Sequence, residues 1–572
     1  MSPTEKPLFP DTLSLEDRAA LAIHSLIGII NPDNGYLPLM HADLTARPTF
    51  LEHSCWDYGC HVGRFIEAMF LARNMTGSTY GEDVEKKVQD LLFTFFKEDG
   101  LSYRPVGFYT QGYANFHDQT HVLAALTVWY MLTGEQRIKE AADRLCAGMK
   151  KISRKAKDFW YLPCVEYAET GWPLLDALYM GTATDPAHVN ARMINQLTKY
   201  YQVTGSIDAL ELAENYAAQL VKYSAAYNPD GSFNGKMEFR NGHFHSRMVS
   251  LAALTKFAAF TGNASYLNWS KKIYDWALSQ STTFGWTPGG MEKNKSYLHE
   301  TCTITDFIEV GILLAQNGYP EYWNVAERFV RNHLAESQLL NVDWITQTDD
   351  TSMDIPGRRS YYRVADRMLG GFAGYAAPND FVCEYGHRGG HSVDIQMCCL
   401  ASGTRGLFLA WSNIVTEKAG RVSVNLLLNR ASHWLDVRSY MPHEGRIELE
   451  INEDIPELLV RIPDWVPFDA ISLKKEHAGD VTEKTADTWL DRHIKAGPCM
   501  KGDKVTVSFP LRQVKTIEKA VDQLFEVTWR GDDVININPP GKYYPLYSNR
   551  KVFDKAPMKS GEYRRIENEL YW

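Results

Sequence analysis

Two separated segments of this 572-residue sequence carry side chains that could hold one metal ion. The first contains Glu300 and Cys302, and the second contains the adjacent pair Cys398 and Cys399. Three soft thiolates and one hard carboxylate oxygen suit a tetrahedral zinc site. Because the chain has only nine cysteines, this grouping favours a zinc centre. The alternative is that these small thiols simply pack in buried helices, which is common for free cysteine.

The two adjacent cysteines restrict where in a helix they can lie. In the middle of a helix, neighbouring side chains diverge by about 100°, so Cys398 and Cys399 favour a helix N-terminus. The segment that follows them, 400–411, has the pattern of a helix. Glu300 and Cys302 point the same way if they lie on an extended segment that enters a helix. Helix-terminal N–H groups and a bound metal would both lower the pKa of thiols in such positions.

A helix-ending signature recurs through the first part of the chain. Each occurrence is a glycine that follows an amphipathic segment and precedes a second helical pattern, namely Gly77, Gly134, Gly205, Gly262 and Gly318. Glycine in this position is the left-handed residue that stops a helix. The spacings of 57, 71, 57 and 56 residues fit a repeated helical hairpin. Five marked hairpins, with room for another near Gly403, predict a six-hairpin (α/α) barrel over residues 1–414.

The pattern changes near residue 415. Apolar and polar residues alternate in four short segments that are separated by Gly, Pro and Asp turns, at 422–428, 446–451, 457–462 and 504–509. Such segments predict antiparallel strands with one buried face each. We therefore expect a β-sandwich region over 415–572, built as one or two small β domains. The charged tail from Arg550 onward is expected to lie over another domain.

Composition excludes several classes of protein. A formal net charge of −10 argues against nucleic acid or an anionic membrane surface as the main partner. No apolar stretch reaches the length of a membrane span, and the N-terminus lacks the pattern of a signal peptide. An odd number of cysteines without a secretion signal favours reduced thiols. The sequence therefore predicts a cytoplasmic protein that binds neither nucleic acid nor membranes.

The order of these parts, with the residues inside them, resembles glycoside hydrolase family 127, the β-L-arabinofuranosidases. The resemblance runs from the first barrel hairpins into the sandwich. Its sharpest element is the Glu-Thr-Cys of residues 300–302, followed after about a hundred residues by Cys-Cys. In that family these side chains bind one zinc ion. The resemblance thus implies Glu300, Cys302, Cys398 and Cys399 as zinc ligands, with Cys398 as the nucleophile.

Weaker matches extend the resemblance to the substrate pocket. His121 and His243 stand 13 and 19 residues before Gly134 and Gly262, as two pocket histidines of the family stand before their glycines. The segment 322–332 looks like the family segment that carries a pocket glutamate, which places that residue at Glu327. The alternative for the two histidines is that they are hydrogen-bonded residues of helix packing.

The sequence departs from the family at the general acid/base. The family has this glutamate about sixteen residues before the Glu-Thr-Cys, where this chain has Phe284, which cannot transfer a proton. The Gly-rich segment there is shortened, and its nearest carboxylate is Glu292, which we predict as the acid/base. Three alternatives lie in the run before the cysteine pair, namely Glu384, His387 and His391. The shortening also leaves the identity of the sugar open.

The resemblance implies a retaining, double-displacement glycosidase. It would release β-L-arabinofuranose, or a related pentose or deoxy sugar, from a glycoside or small oligosaccharide. One alternative is an unsaturated-uronide hydrolase or lyase on the same toroid, which needs no cysteine pair. Another is a non-catalytic carbohydrate-binding protein, because four protein ligands also describe a closed structural zinc site. A homodimer through the sandwich is compatible with the pattern, although no residue specifies it.

Overall fold

The computed structural model describes residues 8–105, 112–163, 165–172, 190–224, 226–234, 243–291, 299–383, 393–485, 489–561, 564–566, 570 and 572. The helices within these ranges are, in chain order, α1 (Leu15–Gly28), α2 (Gly59–Thr76), α3 (Glu82–Phe93), α4 (Phe116–Thr133), α5 (Gln136–Ile152), α6 (Arg192–Thr204), α7 (Ile207–Lys222), α8 (Phe244–Thr261), α9 (Ala264–Ser279), α10 (Thr301–Gln316), α11 (Tyr322–Phe329), α12 (Val364–Met368) and α13 (Met397–Ser412). A π-helical turn, Val330–Leu334, continues α11.

Six of these helices form a closed inner ring. Helices α2, α4, α6, α8, α10 and α13 each contact the next, and α13 returns to α2. The outer helices α1, α3, α5, α7, α9 and α11 pack against them. An inner helix has neighbours on every side and is buried nearly all round, as α4 is, whereas an outer helix such as α5 buries one stripe. The predicted six-hairpin (α/α) barrel is confirmed.

Four of the five recurring glycines are the C-caps of inner helices as predicted, and the fifth, Gly318, directly follows Asn317, the C-cap of α10. Gly77, Gly134, Gly205 and Gly262 are the C-caps of α2, α4, α6 and α8, with φ between 60° and 72°. Gly403 has a different role, because it lies in the middle of α13. A Cβ atom there would lie 2.4 Å from the ring of Phe372. This glycine permits close packing of the sixth inner helix and does not stop it.

The strands of the described residues are, in chain order, β1 (Leu8–Pro10), β2 (Ile30–Asn31), β3 (Leu37–Pro38), β4 (His41–Asp43), β5 (Phe50–Glu52), β6 (Tyr113–Asn115), β7 (Arg154–Lys155), β8 (Trp160–Tyr161), β9 (Glu166–Ala168), β10 (Arg359–Ser360), β11 (Ile395–Gln396), β12 (Val415–Lys418), β13 (Arg421–Val424), β14 (Arg430–Ala431), β15 (Leu435–Ser439), β16 (Arg446–Ile451), β17 (Ile455–Arg461), β18 (Ser472–His477), β19 (Asp480–Thr485), β20 (Trp489–Leu490), β21 (His493–Cys499), β22 (Lys504–Ser508), β23 (Gln513–Ala520), β24 (Gln523–Arg530), β25 (Asp533–Asn538) and β26 (Met558–Ser560).

The larger sheets follow the last inner helix, which ends at Ser412. A five-stranded sheet has the order β12-β13-β17-β21-β20, and a six-stranded sheet has the order β14-β15-β16-β22-β18-β19. A three-stranded sheet, β23-β24-β25, comes next. The predicted strands are present, but β13 and β17 pair in parallel. Between β13 and β17, the chain forms β14, β15 and β16 of the six-stranded sheet. It then enters the five-stranded sheet again in the direction of β13.

Two smaller features of the fold tie distant parts of the chain to the barrel. Strand β26 pairs antiparallel with β1, so the tail lies against the first residues of the barrel domain. Farther along the tail, the indole N–H of Trp572 donates to Oε1 of Glu67 at 3.0 Å. A four-stranded sheet, β10-β5-β4-β11, lies within the helical domain and leads directly into α13.

Among the described residues, no helix combines the length and the apolar character that crossing a membrane requires.

The barrel and the sandwich meet around Glu327, which lies on α11 and is not exposed to solvent at all. Its Oε1 accepts from Nε of Arg331 at 2.6 Å, and its Oε2 accepts from the backbone N–H of Leu427 at 2.9 Å. The guanidinium of Arg461, on β17, also donates to Oε2. Both carboxylate oxygens are therefore used within the interface between the two domains. The structure does not support the sugar contact that the sequence predicted for Glu327, and we assign this residue a structural role.

Replacement of Glu327 by Gln should destabilise the protein without a specific effect on a sugar site. The change would remove the buried carboxylate charge that Arg331 and Arg461 share and would leave Arg331 with Asp533 alone, which costs about 3–5 kcal/mol of unfolding free energy. Denaturant unfolding of Glu327→Gln would measure the loss, with Glu417→Gln at an exposed position as the matched control. An unchanged unfolding midpoint combined with a raised KM would restore the predicted sugar contact.

Candidate active site

The three predicted thiol ligands come from the first turns of two adjacent inner helices. Cys302 is the second residue of α10, and Cys398 and Cys399 are the second and third residues of α13. The predicted helix N-terminus for the cysteine pair is confirmed. Strand β11 pairs with β4 immediately before α13 begins, and the backbone N–H of Met397 donates to the carbonyl of Met40 at 2.7 Å. This pairing determines where the helix starts and therefore where the two thiols lie.

The three sulfurs form a compact group that could hold a metal ion. The Sγ atoms of Cys302, Cys398 and Cys399 all lie within 4.8 Å of one another, and those of Cys302 and Cys399 are 3.6 Å apart. Two sulfurs bound to one tetrahedral zinc ion at about 2.3 Å would lie about 3.8 Å apart. The observed spacing therefore fits zinc. Cys302 and Cys399 are buried, whereas Cys398 is partly exposed.

The thiols share protons unequally. A hydrogen bond from the thiol of Cys398, followed by one from Cys399, lowers the pKa of Cys302 well below its ordinary value. The contact with Cys302 raises the pKa of Cys398, and burial raises the pKa of Cys399. Without a metal, the cluster thus favours one thiolate, at Cys302, and two thiols. A metal bound by all three sulfurs must displace the two remaining protons.

The predicted fourth ligand, Glu300, is near the cluster in sequence but has another partner. Glu300 is the N-cap residue of α10, and Nε2 of His243 lies 2.8 Å from its Oε1. Although burial raises the pKa of Glu300, the neighbouring His243 lowers it below the usual value. Among the described residues, the group able to hold a metal consists of the three cysteines alone. The structure therefore places His243 against Oε1 of Glu300, and the role of Glu300 as the fourth ligand stays a prediction.

The ring of His121 faces the barrel axis and makes no hydrogen bond to the described residues. Both of its ring nitrogens are buried and have no hydrogen-bond partner among the described residues. Burial lowers its pKa well below the ordinary value, so the ring is neutral at neutral pH. It lines a small internal cavity of about 30 Å³ together with Arg64 and Arg192. An unsatisfied neutral imidazole beside a cavity is suited to bind a hydroxyl group.

Sequence reasoning missed the polar side chains that surround the thiols. The guanidinium of Arg64, on α2, donates to Oγ of Ser402 at 3.1 Å, and its charge lowers the pKa of Cys302. Nδ1 of His245 lies 2.7 Å from Oδ2 of Asp306 on α10. A signal was present, because charged residues stand three apart within two largely apolar helices, namely Arg64 and Glu67 in α2 and Asp306 and Glu309 in α10. Such intervals place side chains on one helix face, which here faces the axis.

The predicted acid/base cannot be placed. Glu292 lies outside the described residues, and so do the alternatives Glu384, His387 and His391. These assignments therefore remain predictions from the sequence.

A family comparison identifies the helical domain's relatives. Residues 84–338 match the family model of the β-L-arabinofuranosidase GH127 catalytic domain. A comparison with curated proteins finds no match.

Solved structures share the fold of this chain. Ara127N-Se, a GH127 β-L-arabinofuranosidase from Geobacillus stearothermophilus T6, superposes with a TM-score of 0.60 at 12% identity, covering 93% of this chain and 86% of that one. The GH127 β-arabinofuranosidase BT3674 gives 0.59 at 16% identity, covering 93% and 85%. A sugar epimerase from a ruminal bacterium gives 0.51 at 12% identity, covering 69% of this chain and 97% of that one. At these identities the similarity shows the fold alone.

The sulfur cluster should bind one zinc ion per chain with an affinity that depends steeply on pH. The raised pKa values of Cys398 and Cys399 mean that protons compete with the metal, so affinity falls as the pH falls, by about tenfold per pH unit for each proton displaced. Elemental analysis after purification under reducing conditions would give the stoichiometry. Chelator competition between pH 6 and pH 8 would give the slope.

The matched control for this experiment is Cys146→Ser, which removes a buried thiol on α5 away from the cluster. It should bind zinc as the unchanged protein does, whereas Cys399→Ser should bind far more weakly. A protein that contains no zinc and takes up none would contradict the assignment.

Proposed function

We infer that this chain belongs to glycoside hydrolase family 127 through its helical domain, whose residues 84–338 match the family's catalytic domain. It is a glycosidase. We propose further that it is a retaining enzyme that releases a terminal β-L-arabinofuranose, or a related pentose or deoxy sugar, with Cys398 as the nucleophile.

One observation carries the choice of nucleophile. Of the three clustered thiols, Cys302 and Cys399 are buried, and Cys398 alone is partly exposed. A nucleophile must reach the anomeric carbon of a bound sugar, so exposure distinguishes Cys398 from its two neighbours. Its position in the first turn of α13 adds the partial positive charge of the helix N-terminus, which stabilises a thiolate.

The reaction would proceed in two displacements. In the first, the Sγ of Cys398 attacks the anomeric carbon and forms a carbon–sulfur bond. The bond from that carbon to the departing oxygen breaks, and an acid protonates this oxygen. In the second, the conjugate base takes a proton from water, whose oxygen attacks the same carbon and releases the sulfur as thiolate. Two inversions give net retention.

The surrounding side chains support this reaction by electrostatics and positioning. A zinc ion bound to the sulfurs would supply positive charge that keeps the thiols deprotonated near neutral pH. The guanidinium of Arg64 adds a further positive charge beside the thiols. His243 is held against Glu300, and His121 presents unsatisfied nitrogens beside the axis. We propose that these two histidines bind sugar hydroxyls.

The acid/base is proposed to be Glu292, as predicted from the sequence. Glu384, His387 and His391 stay as alternatives for the same role. Each belongs to a segment that directly precedes α10 or α13 in the chain, and these are the two helices whose first turns carry the thiols. This proximity in sequence supports the assignment, and a substitution at each position would decide among them.

Replacement of Cys398 by Ser should abolish turnover. We expect a loss of at least about a thousandfold in kcat on an aryl β-L-arabinofuranoside, because a serine hydroxyl is a far weaker nucleophile than a thiolate. Release of the aryl alcohol measures the rate, and a panel of aryl pentosides and an unsaturated uronide establishes the sugar. The matched control Cys146→Ser should retain full activity.

The stereochemistry of the first product tests the two-step course independently. Proton NMR of the reaction during its first minutes should show β-L-arabinofuranose before mutarotation. Full turnover by Cys398→Ser, or turnover of the uronide alone, would refute the cysteine mechanism. Accumulation of the inverted anomer would refute retention.

A further inference from the structure

A second cavity opens at the end of the barrel axis opposite to the thiols. It has a volume of about 1260 Å³ and lies between the C-terminal ends of the inner helices and the five-stranded sheet. Helix α10 spans both ends, because Cys302 is in its first turn and Glu309 lines the cavity. Seven residues of helix separate the two by about 10 Å along the axis.

A layer of ion pairs closes the axis between the two ends. Nη1 of Arg405 donates to Glu309 at 2.8 Å, and its Nη2 donates to Asp306 at 3.2 Å. Asn195 donates to the other oxygen of Glu309 at 2.9 Å. The second cavity is therefore separate from the catalytic mouth.

Two lysines face this cavity with their charges poorly satisfied. Lys199 is 3% exposed, and its Nζ has no hydrogen bond among the described residues. Its nearest carboxylate oxygen is Oε1 of Glu309 at 3.8 Å, which already accepts from Asn195. Lys256 also lines the cavity, and no hydrogen bond or ion pair of this residue occurs within the part of the chain that the structure describes.

Burial lowers the pKa values of both lysines. Burial, together with the charges of Lys256 and Arg405, lowers the pKa of Lys199 to about 8 despite Glu309. Burial likewise lowers the pKa of Lys256. An ammonium group that lacks hydrogen bonds in a buried position is costly. A negatively charged group between these two lysines would remove that cost.

The remaining walls are suited to a hydroxylated molecule. Trp572 covers one side, with Nζ of Lys199 at 4.2 Å from its ring centre. The amide side chains of Gln202 and Asn317 also line the cavity and can bind hydroxyl groups. On the sandwich side, the charge of Glu457 is already compensated by Arg421 at 2.6 Å. The volume exceeds that of typical small-molecule pockets, so a sugar enters without rearrangement of the walls.

We propose that this cavity is a second ligand site, for an anionic sugar derivative whose carboxylate or phosphate lies between Lys199 and Lys256 and whose hydroxyls meet the amides. A sugar acid and a sugar phosphate share this chemistry. The site does not depend on the glycosidase reaction, since it is formed by the opposite ends of the same helices.

Isothermal titration calorimetry at pH 7 with D-glucuronate, D-glucose 6-phosphate, D-glucose and inorganic phosphate tests the proposal. We expect at least one of the two anionic sugars to bind and neutral glucose not to bind. The anionic sugar that binds more tightly shows whether the site prefers a carboxylate or a phosphate group. Lys199→Met and Lys256→Met should each weaken binding at least tenfold. Lys222→Met, at an exposed position on α7, should not change it.

Two further variants keep the test independent of folding and of catalysis. Lys256 is partly exposed, so Lys256→Met decides the question even if Lys199→Met fails to fold. Cys398→Ser should bind the anionic sugar as the unchanged protein does, whatever the outcome of the activity assays. The proposal is overturned if neither anionic sugar binds at about 10 mM, if both lysine variants bind normally, or if Cys398→Ser loses binding. If inorganic phosphate bound as tightly as the sugar phosphate, the cavity would be a simple anion site, and the proposal would likewise be overturned.

Discussion

The structure depends on the mutual compensation of charged side chains along one buried axis. Six inner helices enclose this axis, and polar groups there have little access to water, so they need partners within the protein. Arg64, Asp306 and Glu309 are nevertheless buried there, and Arg405 is partly buried beside them. Each carboxylate accepts from a cation on another helix. These contacts therefore specify which helices are neighbours, in addition to stabilising them.

The same constraint separates two chemical environments at the ends of the barrel. At the N-terminal ends of the inner helices, backbone N–H groups and guanidinium charge favour thiolates, and the three cysteines lie there. At the C-terminal ends, the exposed helix carbonyls carry partial negative charge, and the lysines lie there. The central ion-pair layer, built on Arg405, keeps the two ends apart. The direction of the helices thus determines which chemistry each mouth can support.

The sandwich is joined to the barrel through charge as well as through apolar packing. The carboxylate of Glu327 forms ion pairs with Arg331, which follows it on the same helix, and with Arg461 from the sandwich. Each of the three side chains is at most 1% exposed. A buried ion pair of this kind contributes little when intact and costs much when one partner is removed. It therefore acts mainly to define one docking geometry. This geometry also holds the five-stranded sheet against the far mouth of the barrel.

The sequence by itself determined the helical hairpins, the change to strands near residue 415, and the set of thiols. These features follow from local rules: left-handed glycine stops, apolar periodicity, and the affinity of soft ligands for zinc. Only the tertiary structure decided that Cys398 is the exposed thiol and that Glu300 binds His243. It also showed that Glu327 belongs to an interface and that β13 and β17 run parallel. Each of these depends on contacts between residues far apart in the chain. Apart from the thiols, whose shared affinity for zinc grouped them in advance, residue type and spacing did not reveal which distant side chains the fold brings within hydrogen-bond distance.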